Sequence, residues 1–241
     1  MKRLILCLFS LFLLEREAQP STLYYIAVFF DETYELIKSP LQWNKRDWIF
    51  AFSVLGTTAI LFTQDGKIKD LAQQRREEEF DRWLGIGNTF GDGYFAIPFI
   101  STSLIFAYTF GSERLKSFGW KSFKSFLLTG STVLLMKVIT NRERPNRADR
   151  RAFPSGHSAV AFSLATSISE EFGDNTSISL FVYSLATLTA IARVEYNVHW
   201  ASDVFFGAVL GIYISRFVHK LEEGRLSLIP YKEGIAISWR F

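Results

Sequence analysis

Long apolar stretches with few charges recur along the chain and constrain its fold more than any other feature of the sequence. Six stretches share this character, and they cover about residues 48–64, 93–112, 123–139, 158–172, 175–192 and 199–218. Most are apolar around the whole helical circumference, which is typical of helices buried in lipid or in a large core. The pattern predicts an all-α fold, a six-helix bundle that forms a multi-span membrane protein.

Composition leaves a soluble helical domain open as the alternative. Hydrophobic residues make up 49% of the chain and charged residues 21%, which fits a soluble enzyme or a membrane protein with charged loops. The uncharged parts of three stretches, residues 125–136, 158–169 and 204–215, are well short of the roughly 20 residues that a bilayer requires. The formal net charge of +3 is too small to indicate a nucleic-acid partner.

The first residues have the pattern of an export signal. Lys2 and Arg3 precede an apolar run over residues 4–14 that stops at Glu15. This length is typical of a secretory signal and short for a membrane span. No clean small-x-small cleavage site follows, so residues 1–19 are predicted to be a signal peptide, with an uncleaved N-terminal anchor as the alternative. Cys7 is the only cysteine, which excludes a disulfide within the chain.

Residues 20–241 are predicted to form one helical domain, because their length suits one bundle better than two. A short C-terminal extension covers residues 221–241. Within it Ile235, Ile237 and Trp239 alternate with other residues, as in a short strand, although a packed extension is the favoured interpretation.

Three polar blocks within residues 137–203 lie at the ends of the apolar helices. The first contains Lys137 near the end of the third predicted helix and Arg144, seven residues later and directly before Pro145. Lysine supplies a point charge, and the arginine fork binds two phosphoryl oxygens at once. Because of Pro145, Arg144 is expected to be at the helix end or to be the first loop residue. A solvated or headgroup-facing basic cluster is the alternative, since five arginines lie between residues 142 and 151.

The second block, Pro154-Ser155-Gly156-His157, immediately precedes the fourth predicted helix. Such a start offers backbone N–H groups, a serine hydroxyl and the helix dipole to an anion. Gly156 allows close approach of the backbone, and His157 is placed to donate a proton to a leaving alkoxide. An ordinary helix start capped by Ser155 is the alternative.

The third block contains Arg193, His199 and Asp203. His199 and Asp203 are four residues apart and share a face if the segment is helical. A carboxylate that accepts from one imidazole nitrogen fixes the tautomer and leaves the other nitrogen free to attack phosphorus. Arg193 ends an uncharged helix, where a structural ion pair with Glu195 is the alternative. His219 is interpreted as a helix-end or surface histidine.

Together the blocks resemble the signature of the type 2 phosphatidic acid phosphatase superfamily, which includes bacterial membrane lipid phosphatases, acid phosphatases and vanadium haloperoxidases. The matching positions are Lys137-(six residues)-Arg144-Pro145, Pro154-Ser155-Gly156-His157 and Arg193-(five residues)-His199-(three residues)-Asp203. The combination is highly specific, and the resemblance spans about residues 93–218. The chain departs from the family at Ala192, where serine is usual, and weaker phosphate contact is expected from this change.

The resemblance implies a role for each residue. His199 is the expected nucleophile that forms a phosphohistidine, Asp203 orients it, and His157 is the expected general acid. The expected ligands of the phosphoryl oxygens are Lys137, Arg144, Ser155, Gly156 and Arg193. The family fold is an all-helical bundle, with six spans in its lipid phosphatases, and its phosphatases use no metal or other cofactor.

The sequence thus predicts an enzyme, a metal-independent phosphatase that acts on a phosphorylated lipid of the bacterial envelope. The candidates are lipid A, undecaprenyl pyrophosphate, phosphatidylglycerol phosphate and phosphatidate. The predicted partners are this lipid and the membrane, without nucleic acid or an obligate protein. The predicted location is the inner membrane with a periplasm-facing site, although helix counting after a cleaved signal places the blocks on the cytoplasmic side.

Three other functions are weighed against this prediction. The first is an exported non-specific acid phosphatase. A vanadium haloperoxidase is disfavoured because the chain is short for that activity. A non-catalytic membrane scaffold or transporter is disfavoured because both block histidines and Asp203 are present.

Overall fold

The computed structural model describes residues 22–74, 78–224, 227–231 and 234–238, so the predicted signal peptide lies outside the described residues. The helices are α1 (Thr22–Lys38), α2 (Lys45–Gln74), α3 (Glu78–Phe90), α4 (Gly93–Phe110), α5 (Glu113–Thr140), α6 (Gly156–Phe172), α7 (Thr176–Glu195) and α8 (Ala201–Gly224). A 3₁₀ helix, Ser39–Gln42, joins α1 to α2. Two strands follow α8: β1 (Ser227–Tyr231) and β2 (Gly234–Ser238).

The predicted helical class is confirmed, and α2 with α4–α8 match the six predicted helices. The predicted count is wrong, because the described residues add α1 and α3. The sequence predicts a charged connection over residues 64–92 with a helix-like core at residues 71–83. In the structure α2 continues to Gln74, and α3 begins at Glu78 and ends at Phe90. Lys, Arg, Gln and Glu are good helix formers, and this segment contains no proline that would stop a helix.

Side chains and a left-handed residue fix the helix ends near the predicted blocks. Ser155 caps α6 by accepting from the backbone N–H of Ser158. Asp92 caps α4 in the same way. At the other end of a helix, Asn141 has a φ of 43° and its N–H donates to the carbonyl of Lys137, so α5 ends before Arg144. The helix does end before Pro145, but it ends earlier than predicted, because Arg144 is neither the last helical residue nor the first loop residue.

Five helices are long and apolar enough to cross a membrane, namely α2, α4, α5, α7 and residues Ala201–Leu221 of α8. Large apolar side chains on their surfaces are exposed, as at Phe106, Leu135 and Leu180. α5 reaches 28 residues because its charged N-terminal part continues the helix beyond the uncharged centre. These features indicate a membrane protein.

The 17-residue helix α6 lies at the centre of the bundle and packs against α5, α7 and α8. Many of its buried residues are small, such as Ala159 and Ser163. α8 meets this surface with Gly207 and Gly211, and a Cβ built on Gly211 would lie 2.1 Å from the carbonyl oxygen of Ala159. Small residues spaced by four let two helix backbones approach closely. This packing brings the N-terminal ends of α6 and α8, which carry two of the predicted blocks, side by side.

α1 packs on the half of the bundle far from those blocks. Its Glu32 is fully buried and lies 2.9 Å from the Lys124 ammonium of α5. His219 of α8 is also buried, with 2% of its surface exposed. The prediction of a helix-end or surface histidine is therefore wrong as to exposure, because α8 continues to Gly224 and places His219 inside the bundle.

The C-terminal extension forms a two-stranded antiparallel hairpin. Ser227 is paired with Ser238 at one end and Tyr231 with Gly234 at the other. The alternation at Ile235 and Ile237 falls within β2, in agreement with the strand-like pattern.

Candidate active site

The three sequence blocks meet at one end of the bundle. α5 and α7 end there, with Lys137 and Arg193 in their last turns, while α6 and α8 begin there. The backbone N–H of Ser155 donates to the carbonyl of Asp203 at 3.0 Å and joins the second block to the third. Helix N-termini carry partial positive charge and unpaired N–H groups. Two of them, together with two cations, make this end of the bundle suited to an anion.

His199 lies between a carboxylate and a guanidinium. Its Nδ1 faces Oδ2 of Asp203 at 3.5 Å, and its Nε2 lies 3.1 Å from Nη1 of Arg144. Arginine can only donate a hydrogen bond, so Nε2 is the accepting nitrogen and Nδ1 carries the proton. The separation from Asp203 is long for a hydrogen bond, so the contact is mainly electrostatic. Nε2 is therefore unprotonated, whereas the predicted hydrogen bond from Nδ1 to Asp203 is not formed, and Nδ1 has no hydrogen-bond partner among the described residues. The role of His199 as a nucleophile stays a prediction.

Burial lowers the pKa of His199 to about 4, and the charges of Lys137 and Arg144 act in the same direction. The contact with Asp203 raises this pKa but does not offset the effect of burial. The imidazole is therefore neutral near pH 7. A neutral ring keeps the Nε2 lone pair that attack on phosphorus requires.

Arg144 lies in the loop between α5 and α6 and is held by partners on two sides. Its Nε donates to Oδ1 of Asp149 at 2.8 Å, and its Nη1 donates to the carbonyl of Val198 at 2.8 Å. The hydrogen bond from Arg144 lowers the pKa of Asp149. The guanidinium thus connects the first block to the third and stands beside the Nε2 atom of His199.

The other two predicted cations are held by polar partners. Nζ of Lys137 donates to the carbonyl of Arg151 at 2.5 Å, and Nη1 of Arg193 donates to Oδ1 of Asn88 at 2.6 Å. The buried Nε of Arg193 has no hydrogen-bond partner among the described residues. A buried donor of this kind is available to an anion. Within the described ranges, no group of three or more His, Cys, Asp or Glu side chains is placed to hold a metal ion.

The second block contributes a helix start and an imidazole. Ser155 is fully buried and caps α6, as the alternative interpretation expects, so its contact with phosphate stays a prediction. A Cβ built on Gly156 would meet only Val133, at an ordinary 3.6 Å, so packing does not require glycine there. Nε2 of His157 lies 3.8 Å from Oδ2 of Asp92, and its side chain is 31% exposed. His157 is therefore more open than His199, as the predicted general acid must be.

The sequence prediction missed residues that reach the site from α2 and α3. Arg142 forms ion pairs with Asp65 of α2 and with Asp203, and Asn88 of α3 binds Arg193. One signal was present: Asp65 is a carboxylate directly after a long uncharged stretch, where a charge needs a partner. No pattern in the sequence distinguishes Asn88.

Residues 118–226 match the family model described as the PAP2 superfamily. This match covers slightly less than half of the chain, which is therefore similar to the PAP2 superfamily over that part. This finding confirms the resemblance to the type 2 phosphatidic acid phosphatases.

Relatives of known name are phosphatases or phosphatase-related proteins. The chain is 40% identical over 88 residues to a lipid A 1-phosphatase of Porphyromonas gingivalis, a match that covers 36% of this chain and 20% of that protein. It is 29% identical over 124 residues to a PA-phosphatase related-family protein of Dictyostelium discoideum, covering 40% of this chain and 45% of that protein. The matches thus span a fifth and less than half of these two relatives.

Two solved structures are similar to this chain. LpxE of Aquifex aeolicus superposes with a TM-score of 0.55 at 26% identity and covers 65% of this chain and 94% of that one. A transmembrane PAP2 type phosphatidylglycerolphosphate phosphatase of Bacillus subtilis superposes with a TM-score of 0.56 at 21% identity. This superposition covers 71% of this chain and 95% of that one. The second likeness concerns the fold alone.

Proposed function

We propose that the protein is a phosphatase that removes phosphate from a phosphorylated envelope lipid through a phosphohistidine on His199. The observation that carries the proposal is the environment of His199. It is a buried, neutral imidazole that has Asp203 on its Nδ1 side and Arg144 on its Nε2 side. The similarity to the PAP2 superfamily over residues 118–226 and to a lipid A 1-phosphatase supports a lipid phosphate as the substrate class.

In the proposed first step, Nε2 of His199 attacks phosphorus and forms the N–P bond. The bond from phosphorus to the lipid oxygen breaks, its electron pair stays on that oxygen, and His157 delivers the proton that makes it a hydroxyl. This step requires protonated His157 at the start. Burial and the nearby cations lower the pKa of His157 to about 4 in the structure, and the negative charge of a bound phosphate is expected to raise it. Asp203 stabilises the positive charge that develops on the imidazole when Nε2 forms its new bond.

In the second step, water attacks the phosphorus of the phosphohistidine. His157, now neutral, accepts a proton from that water, the N–P bond breaks, and phosphate leaves with His199 restored. The phosphoryl oxygens are held by Lys137, Arg144 and Arg193. Fixed cations and helix N–H groups stabilise the charge of the transition state without reorganisation, and such contributions are often the largest in phosphoryl transfer.

Among the candidate lipids we place lipid A first, because the relative with 40% identity over 88 residues is a lipid A 1-phosphatase. Undecaprenyl pyrophosphate, phosphatidylglycerol phosphate and phosphatidate are the other candidates. We further propose the bacterial inner membrane with a periplasm-facing site, in keeping with the basic start and apolar run of residues 1–19.

Phosphate release by detergent-purified protein, measured with EDTA present, tests the function. The substrates are lipid A, undecaprenyl pyrophosphate, phosphatidylglycerol phosphate, phosphatidate and a soluble aryl phosphate. Wild type is expected to turn over a lipid phosphate, and His199→Ala is expected to lose this activity because it removes the nucleophile. His219→Gln, which alters a histidine at the far end of α8, is the matched control and is expected to remain active.

Each contrary result has a definite meaning. Preference for the aryl phosphate would replace the lipid substrate by the exported acid phosphatase alternative. Lipid turnover that persists in His199→Ala would remove the phosphohistidine mechanism. A folded wild type that is silent on every substrate would favour a non-catalytic scaffold.

A further inference from the structure

Asp65 of α2 and Arg142 of the α5–α6 loop lie directly behind Asp203. Nη2 of Arg142 is 2.7 Å from Oδ2 of Asp65, and Nη1 is 2.5 Å from Oδ1 of Asp203. One guanidinium therefore bridges two carboxylates through its two terminal nitrogens. The side chains of Asp65 and Asp203 are 4% and 0% exposed, and that of Arg142 is 17% exposed. The three charges form a cluster that is shielded from solvent.

Ser202 completes the hydrogen bonds of this cluster. Its hydroxyl donates to Oδ2 of Asp65 at 2.5 Å and accepts from Nη1 of Arg142 at 2.7 Å. Its backbone N–H donates to Oδ1 of Asp65 at 3.0 Å. Ser202 is the second residue of α8, so Asp65 binds the N-terminus of the helix that carries Asp203. Asp65 thus connects α2 to the start of α8.

The orientation of Arg142 and Asp203 is fixed by further contacts. The guanidinium of Arg142 lies 3.8 Å from the ring centre of Phe62, an arrangement typical of a cation–π interaction. Oδ2 of Asp203 accepts from the backbone N–H of Trp200 at 2.9 Å. Both carboxylate oxygens of Asp203 therefore have donors, and only one face of the carboxylate remains toward His199.

The charges of the cluster explain why Asp65 is needed beside Arg142. Arg142 alone would neutralise Asp203 and weaken it as an acceptor for the Nδ1–H of His199. Asp65 pairs with the other side of the same guanidinium, so two carboxylates share one positive charge and the cluster keeps a net negative charge. In a buried site this charge acts strongly on the neighbouring imidazole.

We propose that Asp65 and Arg142 are positioning residues that fix the orientation and the negative charge of Asp203. Through Asp203 they stabilise the Nδ1–H tautomer of His199 together with Arg144, which contacts the Nε2 side. The proposal rests on the proposed function for the role of His199 as nucleophile. The tautomer itself does not depend on any substrate. Asp65 lies outside residues 118–226, so the family match does not include it.

Histidine-selective ¹⁵N NMR in detergent tests the arrangement without a substrate, because the chain has only three histidines. Wild type is expected to show one His199 tautomer, protonated at Nδ1, and His199→Gln assigns the signal by its loss. Asp65→Asn and Arg142→Gln are expected to give a mixture of His199 tautomers while the signals of His157 and His219 stay in place. An unchanged His199 tautomer in both variants overturns the proposal.

Turnover gives a second measurement. Asp65→Asn and Arg142→Gln are expected to lower kcat about tenfold to a hundredfold, as is typical for partners that orient a functional histidine. KM is expected to stay within about twofold, because neither residue touches the substrate. When Asp203 is already replaced in Asp203→Asn, adding Arg142→Gln should have little further effect, because its contribution passes through Asp203.

A matched control and a conservative variant separate positioning from folding. Arg216→Gln breaks another arginine–carboxylate pair, between α8 and Glu170 of α6 at 3.2 Å, and is expected to leave kcat and the His199 tautomer unchanged. Asp65→Glu keeps the charge and is expected to retain the wild-type His199 tautomer. This expectation is testable even if Asp65→Asn does not fold. Loss of the tautomer in Arg216→Gln as well would contradict a specific role for Asp65.

The two proposals fail in different ways. A wild type without phosphatase activity, whose His199 tautomer still changes in Asp65→Asn, refutes the proposed function and supports the positioning role. An active wild type whose kcat and tautomer are unmoved in Asp65→Asn and Arg142→Gln refutes the positioning role and leaves the function standing.

Discussion

Arg144 is the residue whose partners must change during the proposed reaction. In the structure it contacts Nε2 of His199 at 3.1 Å, which is the atom proposed to attack phosphorus. A phosphoryl group that approaches Nε2 brings oxygens that are stronger acceptors for a guanidinium than a neutral imidazole is. Arg144 thus contacts the proposed nucleophile in this structure and is expected to bind the substrate when it arrives.

The acid side of the pH profile depends on His199. Its pKa is lowered to about 4, so the imidazole stays neutral until the pH falls through that value and then loses the lone pair needed for attack. Wild-type kcat/KM is therefore expected to fall about tenfold per pH unit only below about pH 4. Arg144→Gln removes a cation that lowers this pKa, so its acid limb is expected to lie at higher pH.

The measurement is kcat/KM for a lipid phosphate between about pH 3.5 and 8. An acid limb near pH 6.5 in wild type, the ordinary pKa of histidine, would show that burial does not control the pKa of His199.

The lowered pKa of His199 also affects the stability of the fold. An unfolded chain binds a proton at this histidine below about pH 6.5 and the folded chain does not, so the contribution of His199 to stability is lost as the pH falls toward 4.

Single residues of the site differ in how far the sequence predicts them. The spacing of Lys137, His157 and His199 places all three at helix ends, and the structure brings them to one end of the bundle. Asp65 was not predicted, because its partner Arg142 lies 77 residues away in sequence and only the fold brings the two together. Ionic contacts between distant segments leave no periodic pattern that a sequence can show.

Among the elements, α6 and α8 decide whether the blocks meet. Gly207 and Gly211 of α8 face backbone atoms of the second block and of α6, so the two helices touch without side chains between them. The carbonyl of Ser155 lies 2.6 Å from the position of a Cβ on Gly207. Any increase in the distance between α6 and α8 would separate Asp203 from the start of α6.

Gly211→Ala tests this contact. Its new Cβ would lie 2.1 Å from the carbonyl oxygen of Ala159, so the helices must move apart. Overpacking of this kind costs about 1–3 kcal/mol, which exceeds the helix-propensity gain of about 1 kcal/mol from replacing glycine. Both the thermal midpoint in detergent and kcat are expected to fall.

Gly130→Ala is the matched control for this helix contact. Gly130 lies inside α5, and its Cβ would meet no heavy atom within 4 Å. The thermal midpoint of Gly130→Ala is expected to stay the same or rise slightly. Equal behaviour of the two variants would mean that α6 and α8 can move apart without loss.

The sequence shows apolar helices better than charged ones. Uncharged stretches such as residues 93–112 predict α4 closely, because apolar periodicity and length are local properties. For α3 the sequence predicts only a helix-like core at residues 71–83 and not its bounds, since the docking of α3 depends on Gly87 fitting against the backbone of Leu188 in α7. Contacts of this type are properties of the folded bundle.

The whole molecule has a polar end that collects cations and an apolar surface below it. Lys137, Arg144 and Arg193 come from three separate segments, and all three act electrostatically on His157. Like charges held together cost free energy unless an anion joins them. Binding of phosphate is therefore expected to stabilise the entire bundle, because it connects segments that are distant in sequence.

Inorganic phosphate is expected to raise the thermal midpoint of the detergent-purified protein. A ligand that binds only the folded state stabilises it by about 2.7 kcal/mol at a concentration of 100 Kd. Chloride at equal ionic strength is the control and is expected to give a smaller shift. The phosphate shift is expected to shrink in Arg193→Met, and equal shifts for phosphate and chloride would contradict an anion site.

The buried Nε of Arg193 affects how selection is expected to act on this position of the protein. Its buried Nε lacks a partner within the described part of the chain, and an unsatisfied buried donor costs about 1–3 kcal/mol. An apolar side chain of similar length would remove that cost and with it a ligand for phosphate. Selection for abundant folded protein and selection for phosphate release therefore act on Arg193 in opposite directions. The presence of arginine at this position indicates that phosphate release has been favoured over stability.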